Sequence, residues 1–356
     1  MRRLRVQTGM MALAAILALA GQADAQVYPE RARSVTRTVV KPKDSVRTEV
    51  YQRNQQREEQ TDRTMRTLRI GANGELYLEN IAGDIVITRG GDNDATVEIV
   101  KVARGRTADE ARESLQLVQV DVAERGSRAE INVRYPRREE RSRERRNFNV
   151  SVAFNVTAPE RARITVKTIS GNISVRDIKG DLGLETISGN IRIANAGRIP
   201  LAKTISGNVE IADTSIEGTM DASTVSGTLL LHKLTARRLD LHSISGNVEL
   251  QDVTCDRIDA QSVSGNINLT GALVRGGRYD LGSHSGEVKV LVSGNVGFEL
   301  SATSFSGSIR ADMPVTMQGS TREGRGRQQD MRGTYGDGGA VLDLTSFSGS
   351  IVIGKR

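Results

Sequence analysis

From about residue 162 to residue 353 the chain repeats one pattern of apolar and polar positions. Aligned on a glycine, it reads KTISGNISV at 167–175, then ETISGNIRI, KTISGNVEI, STVSGTLLL, HSISGNVEL, QSVSGNINL, GSHSGEVKV, TSFSGSIRA and finally TSFSGSIVI at 345–353. The glycines are Gly171, Gly189, Gly207, Gly227, Gly246, Gly265, Gly286, Gly307 and Gly349, stepping by 18 to 21 residues until the last step of 42. Two and four residues after the glycine come aliphatic pairs such as Ile173 and Val175, Ile191 and Ile193, or Val209 and Ile211, while Ser174, Arg192 and Glu210 between them vary in charge. Such alternation predicts a strand with one buried face. Seven and five residues before the glycine lie Ile164 and Val166, Leu182 and Leu184, Leu239 and Leu241, and Ile258 and Ala260, which predict a second strand. The aliphatic two before the glycine (Ile169, Ile187, Ile205, Ile244) has the opposite parity. With this aliphatic buried, the chain must bend or bulge just before Ser-Gly-Asn, and glycine supplies the unusual dihedrals such a corner needs.

Two short strands and two turns cannot bury their own apolar faces, but identical coils stacked about 4.8 Å apart pair in parallel and share one core. The expected fold is therefore all-β, a parallel β-helix (β-solenoid) of about ten short coils over 161–353. Asn172, Asn190, Asn208, Asn247 and Asn266, and the serines before the glycines, then line up as ladders. A looser copy, ENIAGDIVI around Gly83, ties the β-rich region 66–160 to the same stack. There Leu76 and Leu78, Ile85 and Ile87, and Val97 and Ile99 alternate between turn residues, and Thr107 three before Glu110 opens one short helix as a capping box. RREERSRERR at 137–146 reads as a charged hairpin loop, and the glycine- and arginine-rich insert at 312–339 as a mobile loop leaving the coil before the final one.

Composition bounds the function. The formal charge is +7, aromatics are 3% with no Trp, and Cys255 is alone. Ring-stacking readers of sugars or nucleic acid, disulfides and cysteine-based zinc sites find no residues to build them. MRRLRVQ followed by MMALAAILALA and the Ala23/Ala25 pair predicts a signal peptide at 1–25 cleaved before Gln26; residues 26–65, rich in Arg, Gln and Thr, predict a disordered basic linker. The apolar run MMALAAILALA is too short to span a bilayer and no second long one follows, so no transmembrane segment is expected. Export also argues against nucleic acid as a partner.

Catalysis needs converging acids and bases. Here ionisable groups recur at turn phases. Asp177, Asn195, Asp213 and Asp252 all stand six after the glycine and read as turn caps, with a calcium ladder as the alternative. His232, His242 and His284 fall at different phases, so no catalytic residue, metal site or cofactor is expected.

An exported chain of repeated ISGN-[IV]-x-[IVL] coils resembles the bacterial putative-adhesin, β-strand-repeat family, domain of unknown function 4097. The likeness spans roughly 70–353 and rests on the Ser-Gly-Asn corners at 170–172, 188–190, 206–208, 245–247 and 264–266. It implies a β-helical fold at the cell envelope and an adhesive or scaffolding role. Thr228, Glu287, Ser308 and Ser350 replace the asparagine, and His284 replaces the aliphatic. The expectation is a non-enzymatic protein, periplasmic, surface-exposed or secreted, binding a glycan or envelope component along its asparagine ladder; the alternative is a polysaccharide-acting β-helix enzyme.

Overall fold

A computed structural model describes residues 57–91, 93–136, 148–317 and 329–356. The expected signal peptide, most of the expected linker, the 137–146 loop and the middle of the 312–339 insert lie outside the described residues. The described chain is all-β with one helix, and its strands join in a single hydrogen-bonded sheet.

Each repeat supplies the two strands its alternation requires. β8 (Arg163–Ser170) and β9 (Ile173–Arg176) flank Gly171; β10 (Asp181–Ser188) and β11 (Ile191–Ala194) flank Gly189. β10 lies parallel to β8 with Leu182 opposite Ile164 and Ser188 opposite Ser170, and β11 lies parallel to β9 with Ile191 opposite Ile173. One repeat thus returns the chain to the same register one strand further on. β12 (Arg198–Ser206) continues the first column. β13 (Val209–Thr224), β14 (Leu229–Ser243) and β15 (Val248–Ser262) then run unbroken from one corner to the next. Along the outer face, like residues of successive repeats face one another, as in Lys167 with Glu185 and Arg192 with Glu210. The inward residues, Ile164, Leu182, Ile199, Met220, Leu239 and Ile258 among them, are fully buried in one continuous core.

Asp177, Asn195, Asp213, Lys233 and Asp252 all have left-handed backbone, φ 48° to 60°. The backbone thus turns a corner at this phase, in a conformation that Asp and Asn tolerate better than other residues with side chains, and the Asn195 amide donates to the Asp177 carboxylate of the neighbouring repeat.

At the N-terminal end the chain order and the spatial order part. β2 (Glu75–Glu79) and β3 (Ile85–Arg89) stack directly on β8 and β9. β6 (Arg128–Arg134) and β7 (Val150–Ala158), later in sequence, lie outside them. Antiparallel strands cover this end: β1 (Glu58–Arg69) on β4 (Asp94–Gly105), β4 on β7, and β5 (Gln119–Arg125) on β6. β1 begins inside the stretch expected to be linker. Although polar, it hydrogen-bonds along its whole length to β4 and buries Leu68. α1 (Ala108–Leu117) packs on β4 and β1; the Thr107 hydroxyl accepts from the Glu110 N–H at 3.2 Å, the first half of a capping box, while the Glu110 carboxylate accepts from the Arg106 N–H at 2.8 Å and not from that of Thr107.

The C-terminal end is also out of order. β17 (Arg278–Ser283) and β18 (Val288–Ser293) are followed in space by β23 (Ala340–Ser346) and β24 (Ile351–Lys355), and only then by β19 (Phe298–Ser304) and β20 (Ile309–Ala311). The last repeat in sequence is therefore not the last in space. Nor is 312–339 a plain loop: β21 (Thr316–Met317) and β22 (Gln329–Tyr335) pair with each other, and β22 covers the free edge of β19 antiparallel. Burial accounts for the order. Ile351 and Ile353 are wholly buried between neighbours, whereas Ile309 and Ala311, on the shorter β20, are half-buried at the end.

The candidate binding face at the Ser-Gly-Asn corner

At each of the nine regular corners the motif glycine rests on that of the repeat stacked against it. A Cβ on Gly189 would lie well inside 3.0 Å of the Gly171 carbonyl, one on Gly207 would meet the Gly189 carbonyl, and one on Gly349 that of Gly286. Gly189, Gly246 and Gly265 are not in the left-handed region. Gly171, Gly207 and Gly227 do have positive φ, 151° to 158°, so the expected dihedral role holds at some corners, whereas close approach of backbones is the demand that all of them share.

The inward side chain at this corner is the hydroxyl three before the glycine. Thr204 and Thr224 each donate to the motif carbonyl of the preceding repeat at 3.1 Å, and Ser283 does so to Gly265 at 2.9 Å. At the start of the column the buried Thr168 hydroxyl has no hydrogen-bond partner.

With the hydroxyl inward, the strand alternation runs straight through and the aliphatic next to it points out. Ile169, Ile187, Ile205, Val263, Phe347 and Phe305 are 40–49% exposed, and Val225 and Ile244 are half-buried in the same column. The buried aliphatic and the bend before the motif are therefore both replaced by a straight strand with an exposed apolar column. His284 joins it: its ring stacks on Phe347 at 4.7 Å, and Phe347 stacks on Phe305 at 4.8 Å, with interplanar angles of 10° and 6°. A column of exposed serines, Ser170, Ser188, Ser206 and their equivalents, runs beside it.

The asparagines do form a ladder. The Asn172 amide oxygen accepts from the Asn190 N–H at 3.0 Å, that of Asn190 from Asn208 at 2.8 Å, and that of Asn208 from Thr228 at 2.8 Å. The run stops at Thr228, which has no amide oxygen, and resumes with Asn247 accepting from Asn266 at 3.1 Å and Asn266 from Glu287 at 2.9 Å. The oxygen end of each amide is thus committed to holding the next repeat. Asn266 also lines a shallow polar groove of about 370 Å³ with Glu249, Gln251, Asn268, Glu287 and Lys289.

One column escaped the sequence reading. Asp221, Asp240, Asp259, Asp280 and Asp343 stand in register on successive repeats, each six before its glycine, a recurrence visible in the sequence. Burial raises the Asp280 carboxyl above its ordinary value, Asp259 and Asp343 raise it further, and Arg278 and Arg257 oppose them. Asp240 is held by both of its oxygens to Arg238, at 2.8 and 2.9 Å. Among the described residues no three His, Cys, Asp or Glu groups converge as metal ligands. Cys255 is buried, and burial pushes its thiol up to about 11.

A repeat built on an exposed corner, with a glycine that neighbouring backbone enforces, has a counterpart among known sequences: the profile of the family described as Toastrack DUF4097 matches residues 74–354. The chain belongs to the Toastrack family. The match takes in both out-of-order ends as well as the regular repeats, so the Toastrack unit here reaches from β2 to β24. Similar solved structures include a putative adhesin from Parabacteroides distasonis (10% identity, TM-score 0.44, covering 82% of this chain and 97% of that one). Another is a putative adhesin from Bacteroides fragilis (16%, TM-score 0.39, 83% and 97%). A third is a putative lipid binding protein from Parabacteroides distasonis (10%, TM-score 0.32, 83% and 97%). Likeness at these scores carries no functional argument for this Toastrack protein. No curated protein matches it.

Proposed function

We propose that this protein is an exported, non-enzymatic β-solenoid of about ten coils, with an adhesive or scaffolding role at the cell envelope, which binds a repetitive partner along its corner face. The observation that carries the reading is the side-by-side run of outward, mostly apolar residues and serines, one of each per repeat, flanked by asparagines at five of the nine corners. Such an array suits a periodic partner such as a glycan or another envelope component better than a compact small molecule, which calls for a concave and largely apolar pocket. The acidic groups likewise recur one per repeat, and the long aspartate column is neutralised in part by Arg238, Arg257 and Arg278. That distribution favours binding over the polysaccharide-acting alternative, which needs two carboxyls set across one cleft.

Two experiments test the reading. Fractionation with surface-protease accessibility should find the protein in the envelope beginning at Gln26; an intact Met1 on envelope protein would sink the export step. Changing Asn190, Asn208 and Asn247 together to Ser should weaken binding to isolated envelope polysaccharide if their amides touch the partner. A lowered melting temperature with binding unchanged would restrict them to the ladder.

A further inference from the structure

The last two repeats contain the same seven residues, TSFSGSI, at 303–309 and at 345–351. Each crosses the same corner, and both stack a phenylalanine in the outward column. They nevertheless sit in exchanged places, with β23 and β24 inserted between β17/β18 and β19/β20. To reach that slot the chain straddles β19. β22 pairs with one edge of β19 and β23 with the other, although only residues 336–339 join β22 to β23.

These four residues, Gly-Asp-Gly-Gly, arch over Gly297 just before β19. Asp337 Oδ1 accepts from the Gly297 N–H at 2.9 Å and from the Gly339 N–H at 3.2 Å, and its carboxylate pairs with Arg275. A Cβ on Gly297 would collide with the Tyr335 carbonyl and the Asp337 backbone nitrogen. Gly297 is not in the left-handed region, so the arch alone demands glycine there. With Gly336 at φ 61° and Gly338 at φ 65°, the same four residues are also suited to a short hairpin turn.

We propose that the C-terminal end of the stack has two registers. One is the observed order β17, β23, β19, β22. The other follows the chain, β17, β19, β23, β22, with β22 and β23 paired directly as a hairpin and the arch over Gly297 undone. The chain-ordered register closes the shorter loops, so it forms first. It also places Ser301, which faces Asp343, between Asp343 and Asp280 and so separates two adjacent carboxylates. The observed register wins at equilibrium because it buries Ile351 and Ile353 on both sides and leaves the smaller pair, Ile309 and Ala311, at the edge. The exchange makes this end of the molecule a slow two-state element and leaves the rest of the stack untouched.

Paired cysteines read the register directly. In the observed order Lys289 faces Val352, and Val352 faces Arg310; in the chain order Lys289 faces Arg310. In-register partners on adjacent strands are within disulfide reach and next-but-one partners are not; all pairs carry Cys255→Ala, because the native thiol is buried only once the chain has folded. In the full-length protein under mild oxidation, K289C/V352C should link at equilibrium. Within the first moments of refolding K289C/R310C should link instead, and its yield should fall at least tenfold as the protein matures. Gly297→Ala in each pair should shift the equilibrium ratio toward K289C/R310C by tenfold or more. The exchange A311I/I353A, which moves the larger side chain to the other coil without touching the arch, should shift it the same way. If K289C/R310C never links above the level of a single-cysteine control, during refolding or in either variant, the second register does not exist. The refolding arm decides the matter even if a variant fails to fold.

Discussion

A motif glycine such as Gly189 is held by the Gly171 carbonyl of the neighbouring repeat, so its replacement is a steric problem between coils. Gly189→Ala should cost about 3 kcal/mol or more, because backbone on both sides must move. Gly126→Ala, at φ 61° with open space around it, should cost only about 1 kcal/mol, and thermal melts of the two variants check the contrast. Equal costs would return the corner glycine to a dihedral role. The hydroxyl column allows a second comparison. Thr204→Val removes a bonded hydroxyl and should lose about 1 kcal/mol, whereas Thr168→Val, where the hydroxyl is buried without a partner, should be neutral or stabilising. At this scale the sequence was misread at one phase. Ile169 looks like a core residue and Thr168 like a surface one, and parity alone does not say which faces in. The readable signal is that the position three before the glycine is a hydroxyl residue in all nine regular repeats, and Asn80 in the looser copy, each of them a side chain able to donate to a carbonyl.

Strand against strand, identical side chains meet at one spacing, and this favours some columns and penalises others. Amides gain, since each asparagine oxygen takes the N–H of the next repeat. Carboxylates lose. Because the folded state raises the Asp280 carboxyl, the fold holds that proton more tightly than the unfolded chain does. The stability tied to Asp280 is therefore complete below the usual carboxylate range and is lost as pH rises through the raised value. Asp280→Asn should raise the melting temperature at neutral pH, and the advantage should shrink on acidification toward pH 4; an advantage that grows on acidification would contradict the repulsion. The pairing of repeats was legible because period-2 alternation and a fixed glycine set both the face and the register. The aspartate column was equally regular in the sequence, but its meaning depends on the neighbours that only stacking brings together.

Across the whole molecule, the first and last repeats in sequence, around Gly83 and Gly349, are interior in space: β6 and β7 lie outside the first, and the repeat of Gly307 lies outside the last. Sequence could not reveal this, since near-identical repeats carry no mark of which neighbour they stack on. What remains at the surface along the length of the stack is the corner face, whose aliphatics are outward where burial would have explained them. The most direct test of a binding role for that face is to change Ile187, Ile205 and Val263 together to Ser and measure melting and binding to isolated envelope polysaccharide on the same preparation. The account requires a melting temperature within a few degrees of the parent and binding weakened at least tenfold. A large drop in melting temperature with binding per folded molecule unchanged would mean that the column serves only the stack, and would contradict it.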